Sequence, residues 1–432
     1  MSWARYSLFA ALMTCAANSG VTSAFAFSVQ VAEAPTSNLA LTISAIQSAK
    51  KSLLVNIYEM SSSDIADAII ERVEAGVQVE ILEEGQPVGG MSKGAREIQN
   101  QIIDAMKAHN AANHFFEMSS KAGGTRRYHF NHAKYAVIDE KALLIGSENY
   151  SPTGHPRSGA VGNRGWEVLV HDAAIAHRYQ SIFAEDTDVS SPDIIDRMET
   201  ESDLKIGSPH PASSRATSAV SRTPVRLDAS FEASSVTQVT SPDTSLSGLV
   251  ALMDKAVASL DLELMTFSAG WGKPVSDDEK SPLFEAVVSA ARKGLQIRVL
   301  LNDETVFFHG PHSDPDMILT HLLTLGKSTL RKKMKNKETV ELLNQLAAQE
   351  NLNMNAAIAN VKAMKVDYIH NKGALVDDDK TLISSINWNE NSVEKNREAA
   401  IVLVSPQIHD YYRRLFDSDW QASGGISTQK KH

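Results

Sequence analysis

A chain of 432 residues is long enough for two domains, each with its own core. Hydrophobic content of 43% and charged content of 22% are those of a soluble globular protein. A formal net charge of −10 excludes a chain that binds polyanions over its whole surface, although an acidic exterior leaves room for a local basic cleft.

The N-terminus reads as a secretory signal over residues 1–26. Arg5 supplies a short positive region, an apolar stretch runs from Tyr6 to Ala17, and Ala24-Phe25-Ala26 places small residues where a signal peptidase reads. Asn18, Ser19 and Gly20 interrupt the apolar run, which is too short to span a bilayer comfortably. Cleavage is expected after Ala26. The only cysteine, Cys15, would leave with the signal, so no disulfide is expected in the mature chain. The expected location is secreted or periplasmic.

The rest reads as one unit written twice. Residues 49–58 correspond to 256–265, each the end of a helix entering a strand. Residues 68–82 correspond to 286–300. Helical apolar spacing there ends at Gly76 and at Gly294, and a strand follows. Next come His132-x-Lys134-x-x-x-x-Asp139 and, in the second unit, His370-x-Lys372-x-x-x-x-Asp377. Each is trailed by a small polar element, Gly146-Ser147-Glu148-Asn149 and Ser384-Ser385-Ile386-Asn387, and then by a glutamate, Glu167 and Glu398. Closing helices also match, with Tyr179 and Phe183 against Tyr412 and Phe416. Alternating strands and helices predict an α/β fold of two similar units.

The expected boundaries are residues 27–187 for the first unit, 188–235 for a linker or surface loop, 236–424 for the second unit and 425–432 for a tail. The stretch 208–235 is rich in Ser, Thr, Pro and Ala and lacks apolar periodicity. The second unit carries an extra helical segment, roughly 314–361. Its basic run of Lys327, Arg331, Lys332, Lys333, Lys335 and Lys337 reads either as a solvated helix face or as a surface for anionic headgroups or a phosphate backbone.

The repeated motif carries the chemistry. His132 and Lys134 are two apart, so on a strand they share a face, and His370 and Lys372 do the same. Docking the two strands would converge two imidazoles and two ammonium groups. That set suits a phosphodiester. The cations stabilise charge on the phosphoryl oxygens, one neutral imidazole attacks phosphorus, and the other protonates the leaving alcohol and then activates water. Two lysines beside the imidazoles would repel a divalent cation, so no metal and no other cofactor is expected. Ser147, Asn149, Ser385 and Asn387 are candidate phosphate donors. Glu167 and Glu398 are candidates to hold the second nitrogen of each imidazole. Four apolar residues separate Asp139 and Asp377 from their lysines, which gives them a structural turn role. Arg126, Arg127, Arg157 and Arg164 make the surroundings of the first motif basic.

These residues resemble the phospholipase D superfamily, with its duplicated His-x-Lys-x-x-x-x-Asp motif. The likeness spans about residues 28–420, outside the linker, and is similar to bacterial and archaeal phospholipase D-like proteins. The second copy matches better, ending in Asn396-Arg397-Glu398. The first departs, since Gly165-Trp166 separates Asn163-Arg164 from Glu167. The resemblance implies two α/β/α sandwich units packed with the site at their interface. It also implies a metal-independent displacement through phosphohistidine, with His132 as nucleophile and His370 as general acid and base. The expected activity is hydrolysis of phospholipid, such as phosphatidylcholine to phosphatidate and choline, at a membrane surface, with transfer to another alcohol open to the same intermediate. The alternatives are a secreted nuclease acting on nucleic acid and a catalytically silent phosphate- or lipid-binding protein. Both half-sites lie on one chain, so a monomer suffices and no obligate protein partner is expected.

Overall fold

The computed structural model describes residues 26–109, 112–120, 124–199, 229–271, 280–308 and 335–425. The apolar signal core with Cys15, linker residues 200–228, the basic residues Lys327, Arg331, Lys332 and Lys333, and the tail from 426 onward lie outside the described residues.

The first unit runs β1 (Phe27–Ala34), α1 (Asn38–Ser48), β2 (Ser52–Ile57), α2 (Ser63–Glu74), β3 (Gln78–Glu84), α3 (Lys93–His109) and β4 (His114–Met118). It continues through β5 (Lys134–Ile138), β6 (Ala142–Gly146), β7 (Gly165–Val170), α4 (Ala173–Asp186) and β8 (Ile194–Asp196). β9 (Ser230–Ala233) leads into β10 (Ser235–Ser241), which opens the second unit. There follow α5 (Ser245–Asp254), β11 (Ser259–Leu264), α6 (Pro282–Arg292), β12 (Gln296–Leu301) and a short 3-10 turn (Glu304–Phe308). The chain closes with α7 (Lys335–Glu350), β13 (Met354–Ile358), α8 (Val361–Met364), β14 (Lys372–Val376), β15 (Lys380–Ser384), α9 (Glu390–Glu394), β16 (Glu398–Val404) and α10 (Pro406–Ala422).

Local chemistry accounts for the repeated helices. Ile65, Ile69 and Val73 bury one face of α2, and Gly76 ends it at φ +81°. Leu283, Val287 and Ala291 do the same for α6, and Gly294 ends it at φ +94°. Ser281 caps α6 by accepting the Phe284 N–H, with Pro282 just inside the helix.

The two sheets repeat one topology. Strand order β4-β3-β2-β5-β6-β7-β1 in the first is matched by β13-β12-β11-β14-β15-β16-β10 in the second. β2, β3 and β4 are parallel, whereas β5, β6, β7 and β1 add antiparallel. Helices α1, α2 and α3 pack one apolar core on one face of the first sheet, and α5, α6 and α7 pack another on the second. A third core draws on both units. It joins Trp166, Tyr179 and Phe183 to Leu375, Tyr412, Phe416 and Trp420, so the units share an interior. β5 and β14 are buried along their whole length because both of their faces are covered.

Two expectations change. Residues 188–235, expected as a linker or surface loop, contribute β8, which pairs with the edge strand β4, and β9, which pairs with β1. Ser235 already belongs to β10, which pairs with β16, so one extended stretch passes from the first sheet to the second. The unpaired N–H and C=O groups of sheet edges supply these partners, which apolar periodicity does not report. Within the expected helical segment 314–361, residues 354–358 form an edge strand, β13. Among the described residues no helix is long and apolar enough to cross a membrane.

Candidate active site

Strands β5 and β14 begin at Lys134 and Lys372, one residue beyond Ala133 and Asn371, so the two histidines stand just ahead of the strand ends. Each is held by the other unit. The His132 N–H donates to Arg397 O (2.8 Å), and Arg397 N–H donates back to Phe130 O (2.9 Å). In the mirrored arrangement, His370 N–H donates to Arg164 O (2.9 Å) and Arg164 N–H to Tyr368 O (2.8 Å). The Asn-Arg segment before β7 thus bridges to the second motif, and the one before β16 to the first.

Side chains lock the same crossing. Arg397 pairs with Asp186 of α4 (3.0 Å), and Arg164 pairs with Asp419 of α10 (2.6 Å). All four side chains are almost fully buried, and both pairs span the two units. Sequence reading placed Arg164 in a basic surround of the first motif, which the structure corrects. Arg126 pairs with Glu84, Arg127 with Asp193 and Arg157 with Asp64, so each expected arginine already faces a carboxylate.

The imidazoles meet carboxylates across the interface. His132 Nδ1 lies 2.8 Å from Glu398 Oε2, and His370 Nδ1 lies 3.1 Å from Glu148 Oε2. A carboxylate on Nδ1 fixes the N–H there and leaves the Nε2 lone pair available. Glu398 also accepts from Ser385 Oγ (2.7 Å) and Asn396 Nδ2 (3.0 Å). Glu148 accepts from Asn163 Nδ2 (2.9 Å), with Ser147 Oγ at 3.5 Å.

Glu167 is therefore not the partner of an imidazole of the repeated motif. Its carboxylate accepts from Thr42 Oγ1 (2.9 Å) and lies 3.5 Å from Nε2 of the buried His155. The reason is register. Tyr179 Oη donates to Ala400 O, and Tyr412 Oη donates to Glu167 O, both at 2.8 Å. Ser385 N–H donates to Ala399 O as Ser147 N–H donates to Trp166 O. Ala34 faces Gly165 as Ser241 faces Glu398. Gly165 is the counterpart of Glu398, and Glu167 sits two residues further along the same strand face. Aligning the Asn-Arg pairs makes this visible in the sequence, and Glu148 was the residue missed.

The serines also take a different place from the one expected. Ser385 Oγ is committed to Glu398, and Ser147 Oγ accepts the Trp166 N–H, so both brace the carboxylate shell rather than face a phosphate. Asn149 and Asn387 stand half-buried at corresponding positions, each with a buried Oδ1 that has no partner among the described residues. Asp139 accepts the backbone N–H groups of Lys50, Lys51 and Ser52, and Asp377 those of Val257 and Ala258. Both aspartates sit at positive φ in the turns after β5 and β14, where a short polar side chain is tolerated.

Both lysines are buried. Lys134 Nζ donates to His132 O (2.8 Å) and lies 5.3 Å from the centre of the Tyr58 ring. Lys372 Nζ donates to His370 O and rests against Met265 Sδ. Burial lowers Lys134 to about 8 against the pull of Glu398 and Glu148. Burial and then the Lys134 charge push Lys372 well below its ordinary value. Burial also depresses both imidazoles, His132 and His370, to about 4. Burial pushes Glu148 and Glu398 upward, but His370 and His132 respectively, helped by the lysines, outweigh it and hold both carboxyls low. At neutral pH the Lys134 ammonium stands with two carboxylates around two uncharged imidazoles, and Lys372 is the lysine whose charge burial opposes most. Tyr58 packs edge-on against His132 (4.8 Å between centroids) and Tyr368 edge-on against His370 (5.7 Å).

The family described as cardiolipin synthase, PLD-like domain, matches residues 42–187 and 249–420, well over half of the sequence. The chain belongs to the phospholipase D superfamily. A phosphatidylserine synthase from Haemophilus influenzae has a similar structure, with a TM-score of 0.61 at 14% identity over 91% of this chain and 86% of that one. That likeness shows a shared fold. Two shorter structures also match part of the chain. The phospholipase D family member Nuc from Salmonella typhimurium is 19% identical, covers 39% of this chain and 96% of its own length, and has a TM-score of 0.32. NucT from Helicobacter pylori is 22% identical, covers 36% and 93%, and has a TM-score of 0.29. No curated protein sequence matches the chain. In this superfamily member the duplicated motif is a single composite cluster, each histidine taking its carboxylate from the opposite unit.

Proposed function

We propose that the chain is a phospholipase D-type phosphodiesterase that cleaves the headgroup ester of a phospholipid through a phosphohistidine. The observation that carries this reading is the paired site, in which two imidazoles held at Nδ1 by carboxylates stand beside two buried lysine side chains. His132 Nε2 attacks phosphorus as its N–P bond forms and the P–O bond to the headgroup breaks. His370, carrying a proton on Nε2, gives it to the departing alcohol oxygen. That proton is acquired as the anionic phosphodiester binds and raises the depressed imidazole. His370 then takes a proton from water, whose oxygen displaces His132 and leaves phosphatidate. Lys134 and Lys372 neutralise charge on the non-bridging oxygens, and the Asn149 and Asn387 amides donate to them. An alcohol replacing water would complete a transfer, and both the family description and that of the Haemophilus influenzae structure name a phospholipid synthase.

Lipid is favoured over nucleic acid by charge. The chain is acidic overall, and the four arginines near the first motif are each paired with a carboxylate, which leaves them committed rather than open to a polyanion. The signal-like residues 1–26 support a secreted or periplasmic enzyme. The test offers purified protein phosphatidylcholine vesicles, with and without added primary alcohol, and separately single-stranded and duplex DNA, all with EDTA. Headgroup release in EDTA is the expected result. DNA cleavage without headgroup release would replace the lipid reading with the nuclease reading, and silence on every substrate would leave a binding protein.

A further inference from the structure

We infer that Glu148 is the positioning residue of His370, and that Gly165 is a required vacancy that leaves room for this loop-borne carboxylate. The inference rests on the phosphodiesterase reading for its kinetic consequences, but its geometric core stands apart from it. In the second unit the carboxylate that holds the opposite histidine grows from the first residue of β16, Glu398, and the loop position after Ser385 is the buried Ile386. In the first unit the two positions have exchanged character. The first residue of β7 is Gly165, and the loop position after Ser147 is Glu148. Both carboxylates nevertheless reach the same surroundings: an imidazole Nδ1 from across the interface and the amide of the asparagine two residues before the strand.

The glycine makes this possible by what it lacks. A Cβ at Gly165 would stand 2.2 Å from Glu148 Oε1 and 2.6 Å from Ser147 Oγ, far inside contact distance. Gly165 does not adopt the left-handed backbone conformation, so its function is space alone. The atoms in the way are ends of side chains. A methyl group there would therefore displace the carboxylate rather than break the strand. Glu148 is 4% exposed and its neighbours are packed, so the displaced carboxylate loses its aim at His370.

The test compares E148I, G165A, G165E and the exchange variant E148I/G165E, which rebuilds the arrangement of Glu398 and Ile386. Kinetics use bis(p-nitrophenyl) phosphate, and 15N-histidine NMR reads the His370 tautomer. E148I and G165A should keep a cooperative thermal transition and KM within about threefold. Each should lose about 10²–10⁴-fold in kcat, the range seen when an imidazole loses its orienting partner. The His370 limb of the pH–kcat profile should move, and the Nδ1–H tautomer should be lost. E148I/G165E should recover at least tenfold over E148I and regain that tautomer. Wild-type kcat in G165A overturns the vacancy. An unchanged tautomer and pH profile in E148I overturns the positioning role, and a folded exchange variant no better than E148I overturns the equivalence. If the exchange variant fails to fold, G165A and E148I decide alone. If wild type does not cleave the diester, the phosphodiesterase reading fails while the tautomer series still tests Glu148.

Discussion

Replacing Arg164 with Met should cost about 3–5 kcal/mol, the usual penalty for breaking a buried pair by removing one partner. Arg164 Nε lies 2.6 Å from Asp419 Oδ2, its Nη2 donates to Asp419 Oδ1 (3.1 Å), and its Nη1 donates to Ala34 O (2.9 Å). Glu263 stands close by and burial raises its carboxyl, whereas Asp419 is the carboxylate that Arg164 contacts directly. R164M leaves that carboxylate buried with no cation. D419N removes the charge instead, and R164M/D419N should recover roughly half of the loss, a coupling of about 2 kcal/mol. Without Arg164 the Asp419 carboxyl rises further in the folded state. A raised carboxyl binds its proton more tightly folded than unfolded, so the penalty of R164M should shrink as pH falls and grow as it rises. Urea unfolding followed by circular dichroism at several pH values measures all three variants. The reasoning is refuted if R164M unfolds within about 1 kcal/mol of wild type, or if R164M and D419N add without coupling.

The depressed imidazole of His370 binds fewer protons folded than unfolded between about 4 and its ordinary 6.5, so it should destabilise the fold by about 3 kcal/mol as pH drops through that window. Thermal unfolding of H370Q should show a shallower fall over that window than wild type, and equal slopes would count against a neutral His370. K372M should lower kcat about 10²–10³-fold by removing a cation from the phosphoryl oxygens, while leaving the melting temperature equal or higher, because a buried ammonium beside Lys134 is lost. A K372M enzyme with normal kcat would take Lys372 out of the mechanism. D139A should cost about 2 kcal/mol in urea unfolding by leaving the N–H groups of Lys50, Lys51 and Ser52 without their acceptor, with kcat unchanged. A collapse of kcat in folded D139A would assign that aspartate a chemical role.

The sequence alone determined the duplication, the α/β class and the identity of the two histidine-lysine pairs. Those features are local, since helical spacing closed by Gly76 and Gly294 and the short apolar runs of β5 and β14 are written in consecutive residues. The aspartates were legible for the same reason, because four buried residues separate each from its lysine and carry it to the far end of its strand. Tertiary structure alone decided which carboxylate serves which imidazole. Glu398 and His132 are far apart in sequence and belong to different sheets, as do Glu148 and His370. Side chains on one strand face recur every second residue, so Glu167 and Gly165 point the same way, and the register of β7 against β1 selects between them. The arginines of the first motif looked like free positive charge because their partners Asp193 and Asp419 enter from distant segments. A sequence shows which groups a chain owns, but the neutralisation of each charge depends on what long-range packing brings within a few ångströms of it.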